Sequence, residues 1–203
     1  MVAARYTVPR MKAIVLAALA ALTLQSQAPL PKGQMPDLGR PTKPGDALPP
    51  FDADSYFPGT WRFEWDVPEG ALGDAGRIEG TTTYKALGGG KFDAATNATG
   101  AWGAFTLHEV LTYEKDDKRV SRSATDSRGF AYQQTGTIGG DLGGFWNIYL
   151  EATPFTFNGH SIRIKHNMRL LSPLNYKVGV TVSVDGGPFK NYGNPWWRKD
   201  PTA

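Results

Sequence analysis

The chain is expected to be all-β, an antiparallel up-and-down β-barrel of about nine or ten strands, and three observations carry that expectation. From Thr60 onward, β-type runs follow one another and no segment holds a helical apolar period. The connections between them are short, which makes sequential strands antiparallel neighbours and leaves no room for βαβ crossovers. The domain opens on Tyr56-Phe57-Pro58-Gly59-Thr60-Trp61, a tight turn that delivers a tryptophan into the first strand, where the closed end of a barrel needs a plug. A meander this long either closes or splits into a sandwich, and closure is the expectation because it removes exposed edges.

The strand runs are 60–67, 77–87, 91–99, 101–114, 118–126, 129–138, 144–152, 161–171 and 175–184, with a short addition at 189–192. Turn chemistry separates them: Gly88-Gly89-Gly90, Asp116-Asp117, Ser127-Arg128-Gly129, Gly139-Gly140-Asp141, Asn158-Gly159, Pro173-Leu174-Asn175 and Asp185-Gly186-Gly187. Gly and Asn supply positive φ there, and Pro blocks continuation of the ladder. Trp196-Trp197-Arg198 reads as a tail packed on the barrel, with the arginine able to stack on a ring.

Alternation assigns faces, because successive strand side chains point to opposite sides. Trp61, Phe63 and Trp65 share one face of the first strand, against Arg62, Glu64 and Asp66. Tyr176, Val178, Val180, Val182 and Val184 form the inward row near the C-terminus, and Ile162, Ile164, His166, Met168 and Leu170 form the one before it. Ile78, Thr82 and Tyr84, and Phe130, Tyr132, Gln134 and Ile138, make mixed inward rows. Run 101–114 stays open: either Trp102, Thr106, His108 and Val110 or Phe105, Leu107, Glu109, Leu111 and Tyr113 face in. An aromatic lumen with a few polar groups suits a small molecule. The candidate ligand-binding residues are Phe63, Trp65, Tyr84, Tyr132, Gln134, His166 and Met168.

Ahead of the barrel, 51–203, lie two segments of different character. Residues 13–24 are almost wholly apolar, preceded by Lys12 and followed by the small-residue stretch Ser26-Gln27-Ala28, which reads as a secretory signal over 1–28. Met11-Lys12 is the more usual opening of such a signal, so Met1 and Met11 both stand as starts. Prolines at 29, 31, 36, 41, 44, 49 and 50 make 29–50 an extended, disordered linker. Arg5, Arg10 and Lys12 are the charged residues of the signal. Removing those three from 22 Lys and Arg leaves 19 against 19 Asp and Glu, and a neutral mature chain with no basic cluster excludes a nucleic-acid reading. With no cysteine there is no lipid attachment site, thiol catalysis or Cys-based metal site, and no stable membrane anchor is expected once the signal is cut. Localisation is expected to be periplasmic or secreted.

Gly59-Thr60-Trp61, Leu87-Gly88-Gly89-Gly90-Lys91-Phe92, His108-Glu109-Val110-Leu111-Thr112-Tyr113-Glu114 and Asp185-Gly186-Gly187-Pro188-Phe189, in that order, resemble the landmarks of an exported bacterial lipocalin-like (calycin-type) barrel family of unknown function. The resemblance spans about Tyr56 to Arg198 and implies the barrel but no assigned chemistry. It also implies a late arginine over the opening tryptophan, hence a contact between Trp61 and Arg198. Haem-binding barrels of the nitrobindin type are similar in outline, but Phe63 and Trp65 stand where their Gly-x-Trp-x-Gly-x-Gly opening has its later glycines. No cofactor and no metal is assigned.

Two function classes follow. One is a module binding a small apolar or aromatic molecule. The other is an enzyme in which His166 or Glu109 transfers a proton, and a ligand-free barrel meeting a protein partner is a third. His166 is read by preference as a core histidine bonded to a neighbouring Tyr or Asn, and Glu109 as an outward strand charge. His160 and His166 share a face but stand about 20 Å apart at roughly 3.3 Å per residue, too far to hold one metal. His108 with Glu109 or Asp126 would have to converge through the fold. No Gly-x-Ser-x-Gly or phosphate-loop pattern is present, so no catalytic residue is named.

Overall fold

A computed structural model describes residues 51–140 and 145–200, and the expected signal and the whole of the proline-rich linker lie outside the described residues. The chain forms a closed antiparallel up-and-down barrel of ten strands. A single turn of helix, α1 (Ala53–Tyr56), precedes β1 (Gly59–Val67), β2 (Gly76–Gly88), β3 (Lys91–Gly100), β4 (Phe105–Glu114), β5 (Arg119–Asp126) and β6 (Phe130–Gly140). Then come β7 (Trp146–Ala152), β8 (Phe155–Phe157), β9 (His160–Ser172), β10 (Asn175–Val184), β11 (Lys190–Asn191) and β12 (Trp196–Lys199). Each hairpin pairs with the next, and β8 continues β7 along β9 beyond Thr153-Pro154, where the proline has no N–H for the ladder.

Closure is made by the segment read from the sequence as a packed tail. β12 inserts between β1 and β10, pairing Phe63 with Trp197 on one side and Tyr176 with Trp197 on the other. Trp197 therefore points inward, its ring stacked 5.2 Å from Tyr176 and 4.9 Å from Phe63. The same alternation turns Arg198 outward and sets Lys199 across from Trp61, with the ammonium 5.2 Å from the indole. The expected cation over the opening tryptophan is thus Lys199, not Arg198, because one residue of register reverses the face.

The inward rows agree with alternation on every strand where it gave an answer. On β4 the open choice falls to Phe105, Leu107, Glu109, Leu111 and Tyr113. The strand begins at Phe105 and not at 101, because Gly103, with φ of 77°, turns the chain and donates back to the Gly100 carbonyl. Asn158-Gly159 and Asp185-Gly186 take positive φ at both positions, the geometry that suits two-residue hairpin turns.

One end of the barrel is plugged. Trp61 is fully buried between Tyr56 and Tyr176 and donates from Nε1 to the carbonyl of Phe57, whose ring packs on Phe92. Asp52 caps α1 by accepting from the Ser55 N–H at 3.1 Å, so a short turn carries Phe51 and Phe57 into the base. At the other end the 68–75 loop folds over the opening. Arg128 and Trp102 hold it, donating to the carbonyls of Leu72 at 3.1 Å and Asp74 at 2.9 Å.

Candidate functional site: a polar core in an aromatic lumen

Between plug and cap lies a cavity of about 110 Å³. Six of the seven residues chosen from the sequence, Phe63, Trp65, Tyr84, Tyr132, His166 and Met168, line it. Gln134 is not among the lining residues, and is buried at 1 % exposure. Trp102, Phe105, Phe130, Tyr176 and Trp197 complete the aromatic surface.

The centre of the site is Arg122, which alternation along β5 left unassigned. Both faces of Arg119-Val120-Ser121-Arg122-Ser123-Ala124-Thr125-Asp126 are polar or small, so periodicity offers no contrast. The β4–β5 register supplies the missing signal: Ala124 stands across from Glu109 and Arg122 from Leu111, both inward positions of β4. The Arg122 side chain is 12 % exposed, with Nη1 3.2 Å from Oε1 of Glu109. Its Nε donates to Gln134 Oε1 at 2.9 Å, and Nη2 meets both that oxygen and Nδ1 of His166. Gln134 in turn donates from Nε2 to the Ile164 carbonyl at 3.3 Å.

Two expectations are corrected here. Glu109 is not an outward charge, since it lies on the inward row of β4 at 4 % exposure with Arg122 as its counter-ion. His166 is bonded to neither a Tyr nor an Asn, because Gln134 on β6 and Arg122 on β5 reach its Nδ1. His108 points out and meets Asp93 at 2.6 Å, so it does not converge with Glu109.

The protonation states follow from these contacts. Burial, and then the charge of Arg122, hold the His166 imidazole well below its ordinary value, so the ring is neutral. Nδ1 of His166 meets both a donor, Nη2 of Arg122, and an acceptor, Oε1 of Gln134 at 3.1 Å. Burial disfavours the charge on Arg122, but attraction to Glu109 and the neighbouring tyrosines outweighs it and raises the group further. Burial and the Glu109 charge push the Tyr84 hydroxyl up to about 12. Burial, partly opposed by Arg122, does the same to Tyr132, also to about 12. Both phenols remain hydrogen-bonding O–H groups, and Tyr84 meets the Tyr176 hydroxyl at 3.3 Å.

A second ion pair sits beneath the cap. Arg128 holds Asp126 in a bidentate contact, with Nε to Oδ1 at 2.9 Å and Nη2 to Oδ2 at 2.8 Å. Its guanidinium lies 4.4 Å from the Trp102 ring centre and 4.5 Å from that of Phe105. The charged residues on the wall are therefore two matched pairs, and with His166 neutral the cavity carries no net charge.

Comparison with known proteins bears on the fold alone. No family model matches the chain, and no curated protein matches it. Among solved structures, the chain is similar to Rv2717c from M. tuberculosis, with a TM-score of 0.62 at 10 % identity over 76 % of this chain and 99 % of that one. A de novo designed fluorescence-activating β-barrel overlaps at a TM-score of 0.44 and 15 % identity, over 74 % of this chain and 99 % of that one.

Proposed function

We propose that the protein is an exported lipocalin-like binding module that holds a small, neutral, apolar or aromatic molecule in the barrel lumen. The observation that carries this reading is the cavity itself: aromatic walls around two internally compensated ion pairs. A charged ligand would bring an uncompensated charge into a buried site, a cost that a neutral molecule avoids. Size narrows the class further. An engineered apolar cavity of about 150 Å³ takes benzene, so 110 Å³ suits a molecule of about one ring.

His166 supports binding over proton transfer. Its Nδ1 is taken up by Arg122 and Gln134, and burial keeps the ring neutral and weakly basic. Export rests on the apolar run at 13–24, and membership of the exported bacterial family on the four motifs given above.

Native mass spectrometry of the protein purified from the cell envelope and from the medium tests both parts. The expected result is a discrete extra mass, of the order of one small ring compound, on a chain cleaved near Ala28. A chain retaining residues 1–28 in the cytoplasm would overturn export. Failure of small ring compounds to bind the purified chain would overturn the lumen reading.

A further inference from the structure

Glu109 is buried in a way that the protein's own groups leave incomplete. Its Oε1 has no hydrogen-bond partner, although it stands 3.2 Å from Nη1 of Arg122. The pair is balanced in charge but not aligned for a hydrogen bond. Arg122 directs Nε and Nη2 to Gln134 and His166, and only Nη1 faces the carboxylate. An ionised oxygen shut away from water without a donor is a costly feature of a folded protein. Glu109 lines the cavity, so a donor in the lumen can reach its carboxylate.

We propose that the lumen ligand is a neutral single-ring compound carrying an O–H or N–H group that donates to Glu109, as a phenol does. This rests on the reading of the barrel as a small-molecule binder and adds the polar handle to it. The carboxylate fixes one end of the molecule, and the rings of Phe63, Phe105, Tyr132 and Trp197 cover its faces. An anionic ring compound is excluded by the same oxygen, which would meet it charge to charge.

The test is an NMR chemical-shift titration of the full chain with phenol, toluene and benzoate. Phenol and toluene have the same number of non-hydrogen atoms, and apolar transfer by itself favours toluene. A preference for phenol therefore reports the hydrogen bond, and about tenfold or more is expected for a bond to a charged acceptor. Benzoate is expected to bind about tenfold or more weakly than phenol. Toluene binding as well as phenol, or benzoate binding better, overturns the donor assignment and leaves lumen binding standing. If none of the three binds, the lumen reading falls with it.

Glu109→Gln is expected to reduce the phenol preference to within about threefold, and a folded variant that keeps the full preference places the acceptor elsewhere. Infrared difference spectra of the wild-type chain give the same answer without a substitution. Phenol, but not toluene, is expected to shift a carboxylate stretch, and the absence of that shift overturns the proposal.

Discussion

Replacing Arg122 by methionine keeps most of the side chain's bulk and removes its charge and donors. The Arg122 and Glu109 side chains are 12 % and 5 % exposed, so the substitution leaves a carboxylate buried without a counter-ion. Breaking a buried pair from one side costs about 3–5 kcal/mol. Gln134 Oε1 and His166 Nδ1 lose their contact with the guanidinium at the same time, and Gln134, at 1 % exposure, has no water to replace it. These add about 1 kcal/mol each. Removing both charges is a different perturbation: Arg122→Met with Glu109→Leu exchanges the pair for apolar bulk, which ranges from neutral to stabilising. The double variant is therefore expected to be more stable than Arg122→Met alone, with a coupling energy of about 2–4 kcal/mol. Urea unfolding at pH 7 of the wild type, both single variants and the double variant measures the cycle. A loss below about 1 kcal/mol in Arg122→Met, or strict additivity in the double variant, would refute the claim that Glu109 depends on Arg122.

The neutral His166 makes stability fall with acid. Its folded value lies well below 6.5, so below that pH the unfolded chain takes up a proton that the folded one refuses. The contribution is complete above about pH 6.5 and declines as pH falls, with a slope approaching about 1.4 kcal/mol per pH unit. The lowered carboxylates Asp52, Asp66, Glu151 and Asp185 lose their contributions only below about pH 4.5, so comparison with a His166 variant between the two limits reads this histidine. His166→Gln should flatten the stability profile in that window, and an unchanged slope would count against a buried neutral ring. Gly80→Val should cost about 1–3 kcal/mol in thermal or urea unfolding and weaken ring-compound binding. A Cβ at Gly80 would stand 2.5 Å from the Asn97 carbonyl oxygen and 2.8 Å from the Phe63 ring, and wild-type stability would show that this approach is not tight. Trp197→Ala removes the ring stacked on both Phe63 and Tyr176 at the closing seam. A loss of about 3–5 kcal/mol is expected from urea unfolding, and a mild effect would contradict closure through β12.

The inward rows were legible wherever a strand contrasts apolar with polar positions, as Ile162, Ile164, Met168 and Leu170 do against Arg163, Lys165 and Arg169. Six of the candidate residues it turned inward line the cavity. It failed on β5, where serines and threonine on one side oppose Val120, Arg122, Ala124 and Asp126 on the other, and it could not choose on β4, where both faces hold polar and apolar side chains. The polar centre of the site is built on those two strands.

The sequence by itself determined the all-β class, the turns and the face of most strands, because these follow from a period of two residues and from local backbone preferences. Only the tertiary structure decided that Trp196–Lys199 closes the ring, that Lys199 and not Arg198 stands over Trp61, and that Arg122 joins Glu109, Gln134 and His166. Each depends on the register between strands, and a shift of one residue there turns a lumen group into a solvent group. A charged side chain inside a barrel has no local signature, since it is stable only through partners that pairing brings to it.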